Sequence, residues 1–107
     1  MTDFNDRRRA EEAKSAQDEM NMFRVTVRRN RLLGIWAAEK MELSDAETES
    51  YAKAVVQADF EEAGDEDVIR KVFGDLVSAG CDIDEAAVRV ALEKKAVEAR
   101  RQLIGEA

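Results

Sequence analysis

The chain has 107 residues, of which 45% are hydrophobic, so it can form one domain around one core. It contains no proline and only 5 glycines, and its abundant Ala, Glu, Asp, Lys, Arg, Val and Leu favour an all-α fold. The absence of histidine disfavours an enzyme, and the net charge of −7 disfavours binding to nucleic acid or anionic lipid.

The first predicted helix covers residues 4–41 and carries a heptad seam. Small or apolar residues, with one Asn, recur along it at alternating spacings of three and four: Ala13, Ala16, Met20, Phe23, Val27, Asn30, Gly34, Ala37 and Met41. Large side chains enter the seam only from Met20 onward. Around Leu32, Leu33, Ile35 and Trp36 the opposite face becomes apolar as well, so we expect the centre of a four-helix bundle there.

Three shorter helices are predicted to follow. The sequence Ser44-Asp45-Ala46-Glu47 is a capping box that begins the second helix, which Gly64 ends as a left-handed cap. Asp65 is expected to cap the third helix, and Gly80 to end it. Asp82-Ile83-Asp84-Glu85 begins the fourth, which closes with Arg100, Arg101 and Gly105. The apolar stripes predicted for the three helices are Tyr51, Ala52, Val55, Val56, Phe60 and Ala63; Val68, Ile69, Val72, Phe73, Leu76 and Val77; and Val88, Ala91, Leu92, Ala96, Ala99 and Leu103.

The lengths of these helices predict an overhang. A helix over residues 4–41 would be about 55 Å long at roughly 1.5 Å per residue, whereas the other three reach about 25 to 30 Å. Beyond Met1, the only large apolar side chain of residues 1–19 is Phe4. We therefore expect residues 1–19 to be a mobile segment and residues 20–107 to be the four-helix bundle domain.

Such an amphipathic segment can dock as a helix into the groove of a partner. An ordinary terminus, or a long helix folded back on its own bundle, explains the same pattern. Residues 1–40 hold nine basic and seven acidic side chains, while residues 41–107 hold eight and seventeen. The N-terminal part can therefore approach an acidic partner, although a solvated helix face accounts for the charge equally well.

The start of the chain has no apolar run behind a basic stretch, and no segment approaches the roughly 20 apolar residues that cross a bilayer. We therefore expect a cytoplasmic protein without direct membrane insertion. Cys81 is the only cysteine, so neither an internal disulfide nor a Cys-based zinc cluster can form within one chain. We expect Cys81 to be a buried small hydrophobic residue.

Three strings of sequence carry a resemblance to a known family. They are FNDR at residues 4–7, RRNRLLGIWAAE at 28–39 and YAKAVVQADFEEAGDEDVIRKV at 51–72. Together they resemble the zeta subunit family of alphaproteobacterial F-type ATP synthases, in the right order and over most of the chain. The C-terminal helix matches least well.

The resemblance implies a non-enzymatic, four-helix inhibitor of ATP hydrolysis. It implies that residues 1–19 enter as a helix between catalytic alpha and beta subunits, near gamma, while the bundle stays outside. The free protein is expected to be a monomer and, when bound, to lie at the cytoplasmic side of the inner membrane. The implied partner-binding residues are Phe4, Asn5, Asp6, Arg7, Arg8, Arg9, Ala10, Ala13, Lys14 and Ala16.

Within that segment we assign Phe4 as an apolar anchor and the basic residues as partners for acidic groups of the catalytic head. The alanines form a narrow face that permits close approach. The sequence departs from the family pattern at Glu11 and Ser15, where aromatic residues are common, and at Arg8, where an acidic residue is usual. Weaker inhibition than that of a typical member is therefore expected.

An alternative function is a small helical module that senses adenine nucleotides and binds another protein. Arg28, Arg29 and Arg31, with the ring of Trp36, could contact ADP or ATP weakly, and no other cofactor is expected. No Walker-type glycine loop supports this interpretation, and a solvated or ion-paired helix face explains the arginines as well.

One acidic cluster surrounds the junction between the second and third helices. Its carboxylates, Glu61, Glu62, Asp65, Glu66 and Asp67, lack the spacing of an EF-hand. Helix capping explains the last three without a metal, so we expect neither a metal site nor catalytic residues.

Overall fold

The computed structural model describes residues 4–61 and 64–104, and their side chains from residue 17 onward. Within these ranges the chain forms four α-helices and no strand: α1 Phe4–Lys40, α2 Asp45–Glu61, α3 Asp65–Ser78 and α4 Glu85–Ile104. The predicted all-α, four-helix fold is confirmed. Nowhere in the described part is a helix both long and apolar enough to cross a membrane.

The turn between α1 and α2 is closed by backbone hydrogen bonds. The amide of Leu43 donates to the carbonyl of Ala38 and that of Glu42 to Glu39, at 3.0 and 3.1 Å. This pairing is a Schellman motif, which places Glu42 in the left-handed region with a φ of 58°. The predicted end of this helix at Met41 is one residue late, because no glycine marks the motif.

The predicted capping box at the start of α2 is confirmed. The amide of Glu47 donates to Ser44 Oγ at 3.2 Å, and the amide of Ser44 donates to Glu47 Oε1 at 3.0 Å. The hydrogen bond from the backbone of Ser44, followed by that from its side chain, lowers the pKa of Glu47 below its ordinary value. The box therefore anchors the first turn of α2 with two mutual hydrogen bonds.

The junction between α2 and α3 differs from the prediction. Gly64 has a positive φ of 133°, but with a ψ of 143° it occupies the N-cap position of α3 and not a left-handed cap of α2. Asp65 is the first residue of α3, and no side chain caps this helix. The Asp65 carboxylate accepts a hydrogen bond from Arg29 Nη2 at 2.9 Å instead. The expected capping role of Asp65 is therefore wrong, because an ion pair with α1 engages its carboxylate.

The junction between α3 and α4 follows the predicted chemistry. Gly80, with a φ of 82°, donates its amide to Val77, and Cys81 donates to the carbonyl of Leu76, both at 3.0 Å. This is a second Schellman motif. Asp84 Oδ1 then accepts the amide of Ala87 at 2.8 Å and caps α4. Cys81 is only partly buried, contrary to expectation, since it lies in this linker.

Helix α1 packs antiparallel to both α2 and α4. Arg31 contacts Glu49 near the start of α2, whereas Phe23 lies against Phe60 near its end. Arg28 bonds to Gln102 at the end of α4. The buried hydrophobic cluster is centred where it was predicted and comprises Leu33, Ala37, Val55, Val68, Ile69, Val72, Leu76, Val88, Ala91 and Leu92.

Gly34 sets the distance between α1 and α2. A Cβ atom at this position would lie 2.8 Å from Ala52 Cα, closer than such atoms approach in proteins. Ala52 is fully buried beneath it. The small side chains on both helices therefore let the two backbones approach closely.

A polar network joins α2 to α3. The hydroxyl of Tyr51 donates to Asp75 Oδ2 at 2.8 Å, and Lys71 Nζ donates to the same oxygen at 3.2 Å. Burial, followed by the hydrogen bond to Asp75, raises the pKa of Tyr51 above its ordinary value. Lys71 also lies over the Tyr51 ring, 5.6 Å from its centroid. These contacts fix the outer faces of the two helices together.

Several residues placed in the apolar stripes are exposed. Met20 and Phe23 on the α1 seam, Phe60 on α2 and Val77 on α3 each expose half or more of their surface. The seam becomes buried only at Asn30, because α2 and α4 end beside the preceding turns.

The molecule measures 66 × 30 × 25 Å, and its radius of gyration is 17.5 Å. A compact chain of this length would have a value of about 13 Å, so the protein is elongated.

Candidate protein-binding surface

The predicted partner-binding residues lie on the first turns of α1. The backbone from Phe4 onward is helical and continuous with the rest of α1, which spans 37 residues. The side chains of Phe4, Asn5, Asp6, Arg7, Arg8, Arg9, Ala10, Ala13, Lys14 and Ala16 lie outside the described residues. Their roles in binding therefore stay predictions.

The next two turns of α1 are exposed on every side. All side chains of residues 17–24 are exposed, although three of them are large and apolar. The exposed fractions are 53% for Met20, 70% for Met22 and 50% for Phe23. This stretch crosses the predicted boundary at residue 19, and the division into two segments stays a prediction. Large apolar side chains exposed close together on one helix are typical of an interaction surface.

The ends of α2 and α4 add apolar side chains to this stretch. Phe60 is 55% exposed, and its ring centroid lies 5.8 Å from that of Phe23, with the rings tilted by 47°. On the other flank of α1, Met22 and Ile104 line one groove of about 450 Å³, and Ile104 is 60% exposed. We call Met20, Met22, Phe23, Phe60 and Ile104 the collar.

The groove beside Met22 has a polar rim. Asp18, Asn21 and Thr26 line it from α1, and Arg100 lines it from α4. Arg29 also lines it, and the other lining residues are apolar or small: Met22, Val25, Ala96 and Ile104. The groove can therefore accept an apolar group while polar atoms at its edge remain in contact with water or a partner.

The three arginines predicted to contact a nucleotide bind three different elements. Arg28 Nη1 donates to Gln102 on α4 at 3.0 Å, and Arg31 Nη2 donates to Glu49 on α2 at 2.6 Å. Arg29, largely buried, pairs with Asp65 of α3. The structure does not bring these three side chains together around one space.

Arg29 also donates two hydrogen bonds to Asn30 Oδ1, at 3.1 and 3.0 Å. Asn30 is 1% exposed, and its Nδ2 atom has no hydrogen-bond partner among the described residues. The buried end of the heptad seam therefore begins with a polar side chain, which is typical of positions that specify helix register.

Trp36 lies apart from these arginines. It shares a cavity of about 330 Å³ with residues at the start of α4, including Asp84, Val90 and Lys94. Lys40 Nζ lies 6.0 Å from the centroid of the Trp36 ring. The ring therefore faces lysines and small apolar side chains, and the predicted set of Arg28, Arg29, Arg31 and Trp36 is divided among separate surroundings.

Three carboxylates of the acidic cluster form ion pairs. Asp65 pairs with Arg29, Glu66 with Arg89 and Asp67 with Arg70, at 2.9, 2.7 and 2.7 Å. The hydrogen bond from Arg89 lowers the pKa of Glu66 and raises that of Arg89. Glu62 lies outside the described residues. Among the side chains of residues 17–61 and 64–104, no group of Asp, Glu or Cys is arranged to hold a metal ion.

Sequence reasoning missed the collar as a surface. Phe60 was assigned to a core stripe by its spacing, Met20 and Phe23 to the seam, and Met22 and Ile104 to no site. One signal was present: four of the six residues 20–25 are large and apolar, whereas the preceding segment has almost none. These apolar residues can be recognised as exposed surface only when the positions at which α2 and α4 end beside α1 are known.

The chain is similar to known proteins over nearly its whole length. A family model described as "ATPase inhibitor subunit zeta" matches residues 1–102. A chain titled "Solution NMR structure of the protein" is 47% identical, with a TM-score of 0.68, and the match covers 79% of this chain and 96% of that chain. Among curated proteins, none matches.

Proposed function

Because this chain belongs to the ATPase inhibitor subunit zeta family, we propose that it blocks ATP hydrolysis by inserting the N-terminal part of α1 at a catalytic interface of the ATP synthase head. The protein is an inhibitory regulator and not an enzyme, and its partner is an ATP synthase. The site that we propose lies between an alpha and a beta subunit, close to gamma. We use "arm" for residues 4–16.

The observation that carries this proposal is the exposure of α1 upstream of the bundle. The helix runs from Phe4 to Lys40, about 55 Å at 1.5 Å per residue, whereas its buried part begins only at Asn30. The side chains of residues 17–24 are all exposed, and the ends of α2 and α4 reach this stretch at Phe60 and Ile104. A helix of this kind can enter a groove of a partner without unfolding its own bundle.

The proposed mechanism requires shape and charge rather than chemistry. A helix lodged beside a nucleotide site prevents the subunit interface from opening and closing, so the catalytic cycle stalls. Ala10, Ala13 and Ala16 lie at spacings of three, which gives one narrow face for close approach. Phe4 is the apolar anchor, while Arg7, Arg8, Arg9 and Lys14 pair with acidic groups of the head.

Charge reversal on the arm tests this proposal. We expect Arg7→Glu with Arg9→Glu to raise the concentration needed for half-inhibition of ATP hydrolysis at least tenfold, because two attractive charges become repulsive. The control, Lys53→Glu with Lys94→Glu, changes the net charge equally on exposed positions of the bundle. Equal effects of both variants would mean that overall charge, and not the arm, controls inhibition.

Removal of residues 1–19 provides the complementary measurement. Purified full-length protein and the shortened chain are titrated into a cognate ATP synthase head, and hydrolysis and binding are followed together. The full-length protein should lower hydrolysis and the shortened chain should not. If the shortened chain inhibits equally well, the arm is not the inhibitory element.

Glu11 and Ser15, which differ from the family pattern, give a prediction of stronger inhibition when they are replaced. Large aromatic side chains contribute more binding energy than Glu or Ser in a groove. Glu11→Phe with Ser15→Phe should therefore inhibit hydrolysis at a lower concentration than the natural sequence. Identical inhibition curves would contradict the weaker inhibition inferred from these two residues.

We place the complex on the cytoplasmic side of the inner membrane, with the protein peripheral to it and monomeric when free.

The alternative function, sensing of adenine nucleotides, has less support because Arg28, Arg29 and Arg31 each bind a different helix. Isothermal titration with ADP and ATP measures it directly. Binding that is lost in Trp36→Ala and retained in Arg28→Ala would favour the Trp36 cavity alone.

A further inference from the structure

We propose that the collar is a second contact with the ATP synthase head, which holds the protein in place while the arm occupies the catalytic interface. This inference rests on the proposed function, because it assumes that the arm enters the head. It assigns a role to apolar side chains that the bundle leaves exposed. It also divides the protein into an inhibitory part and an affinity-determining part.

The arm is poor in large apolar side chains. Between residues 4 and 16 the only large apolar side chain is Phe4, and the remainder are charged, polar or alanine. A stable protein interface buries about 800 Å² on each partner, and large apolar side chains or arginines at its centre supply most of the affinity. Beside its arginines the arm offers one large apolar anchor, so apolar contact outside the arm would add to the affinity.

The collar exposes a substantial area of apolar surface. Met20, Phe23 and Phe60 lie on one flank of α1, where the two aromatic rings are in contact. Met22 and Ile104 lie on the other flank and share a groove. With half to 70% of each side chain exposed, the five present roughly 400 to 500 Å² of apolar surface. This area is divided between the two flanks of α1, and exposed apolar surface of this extent is often functional.

The position of the collar next to the arm indicates which partner covers it. The arm and three of the collar residues, Met20, Met22 and Phe23, lie on the same helix, and Met20 follows Ala16 by four residues, or about 6 Å along the axis. A partner that encloses the arm as far as Ala16 therefore meets Met20 and Met22 at its rim. A second copy bound to the collar would lie across the path of the arm into the head, so one surface cannot serve both contacts at once.

The collar also limits how far the protein can enter. The helix alone is about 10 Å wide, whereas the ends of α2 and α4 beside Phe60 and Ile104 widen the molecule toward 25 to 30 Å. A groove wide enough for one helix cannot accept the wider bundle, so insertion ends where α2 and α4 flank α1. The collar residues are therefore positioned to meet the surface of the head when the arm is fully inserted.

The test uses the full chain with two charges introduced into the collar, Met22→Glu with Ile104→Glu. The matched control is Val77→Glu with Val90→Glu, which introduces the same charges at residues 53% and 49% exposed. Val90 shares the Trp36 cavity, and Trp36 is fourteen residues, or about 21 Å, from Met22 along α1. Circular dichroism and thermal unfolding establish that both variants fold.

The measurements are the Kd for the purified head and the fraction of ATP hydrolysis blocked at saturation. We expect the collar variant to raise Kd at least tenfold while saturating protein still inhibits as fully as the natural sequence. The control should stay within about twofold. Addition of Met20→Glu to the collar variant should raise Kd further, since the seam flank then loses its apolar contact as well.

Other outcomes separate the two proposals. If the collar variant binds like the natural sequence while the Arg7→Glu, Arg9→Glu variant no longer inhibits, the collar proposal is overturned and the arm proposal stands. If the collar variant binds weakly while the arm variant inhibits normally, the arm proposal is wrong and the collar is the docking contact. A dimer in light scattering that only the collar variant dissociates, with Kd unchanged, assigns the surface to a second copy and overturns the inference.

Discussion

Two stretches of α1 share one heptad pattern but differ in what surrounds them. Residues 30–38 contain Leu33, Ala37 and Ala38, each with no exposed surface, between α2 and α4. Met20 and Phe23 in residues 17–24 are the seam positions two heptads before the buried Gly34 and Ala37, yet both are half-exposed. The period of a helix therefore defines a face that can be buried, while the lengths of the neighbouring helices decide where burial occurs.

The largest difference between these stretches should appear in the stability of alanine variants. Leu33→Ala removes a fully buried side chain and should lower the free energy of unfolding by about 3 kcal/mol. Met22→Ala, at a residue 70% exposed, should change it by less than about 0.5 kcal/mol. Urea unfolding measures both. Equal losses would mean that residues 17–24 contribute to the folded core.

A pair of glycines sharpens the same comparison. Gly34→Ala places a Cβ atom against the backbone of Ala52 and should cost about 1 to 3 kcal/mol, because α1 and α2 must separate. At Gly74 an added Cβ meets no atom within 4 Å, so Gly74→Ala should stabilise α3 by about 0.5 to 1 kcal/mol. Opposite shifts in thermal midpoint are expected, and a neutral Gly34→Ala would contradict the close approach of the helices.

The turn that follows the buried stretch offers a smaller, stabilising change. Glu42 adopts a left-handed φ of 58°, which costs a non-glycine residue about 1 to 2 kcal/mol. Glu42→Gly removes this strain but adds freedom to the unfolded chain, so a net gain of about 0.5 kcal/mol is expected. Glu39→Gly, three residues earlier within α1, should instead lose about 1 kcal/mol. Destabilisation by both variants would argue against the Schellman motif.

The smallest expected effect concerns pH. The pKa of Glu66 is lowered in the folded protein by the hydrogen bond from Arg89, so the unfolded chain binds more protons at this carboxyl. Its contribution to stability is present above its ordinary value of 4.5 and is lost as the pH falls through the lowered value. The pair is exposed, so the effect is small.

Glu66→Gln should therefore make the decline in stability between about pH 5 and pH 3 slightly shallower. Glu93→Gln, an exposed residue of α4, controls for the removal of one negative charge. Urea midpoints measured across this range give the comparison. A steeper decline in Glu66→Gln than in the natural sequence would reverse the sign derived from the Arg89 contact.

Local chemistry explains which features could be predicted. The capping box at Ser44 and Glu47, the positive φ of Gly80 and the Asp84 cap each depend on groups within a few residues, so the sequence predicts them correctly. Asp65 was misassigned because an Arg29 side chain 36 residues away engages its carboxylate. No local pattern contains that information.

The candidate site likewise has features that the sequence predicts and features that it does not. The string similarity correctly predicted the family and its inhibitory role, while the roles of the arm residues stay a prediction from that resemblance. Phe60 was assigned to the core because its spacing fits the stripe of α2, but at the end of the bundle it is 55% exposed and lies against Phe23. The exposed collar therefore became recognisable only from the packing.

The sequence by itself determined the helical class, most helix boundaries, the buried centre around Leu33 and membership of the inhibitor family, because helix period, capping groups and residue strings are encoded along the chain. Tertiary structure decided where the seam of α1 stops being buried, which partner each arginine binds and which apolar side chains face outward. These depend on where α2 and α4 end beside α1, which is a relation between segments distant in sequence.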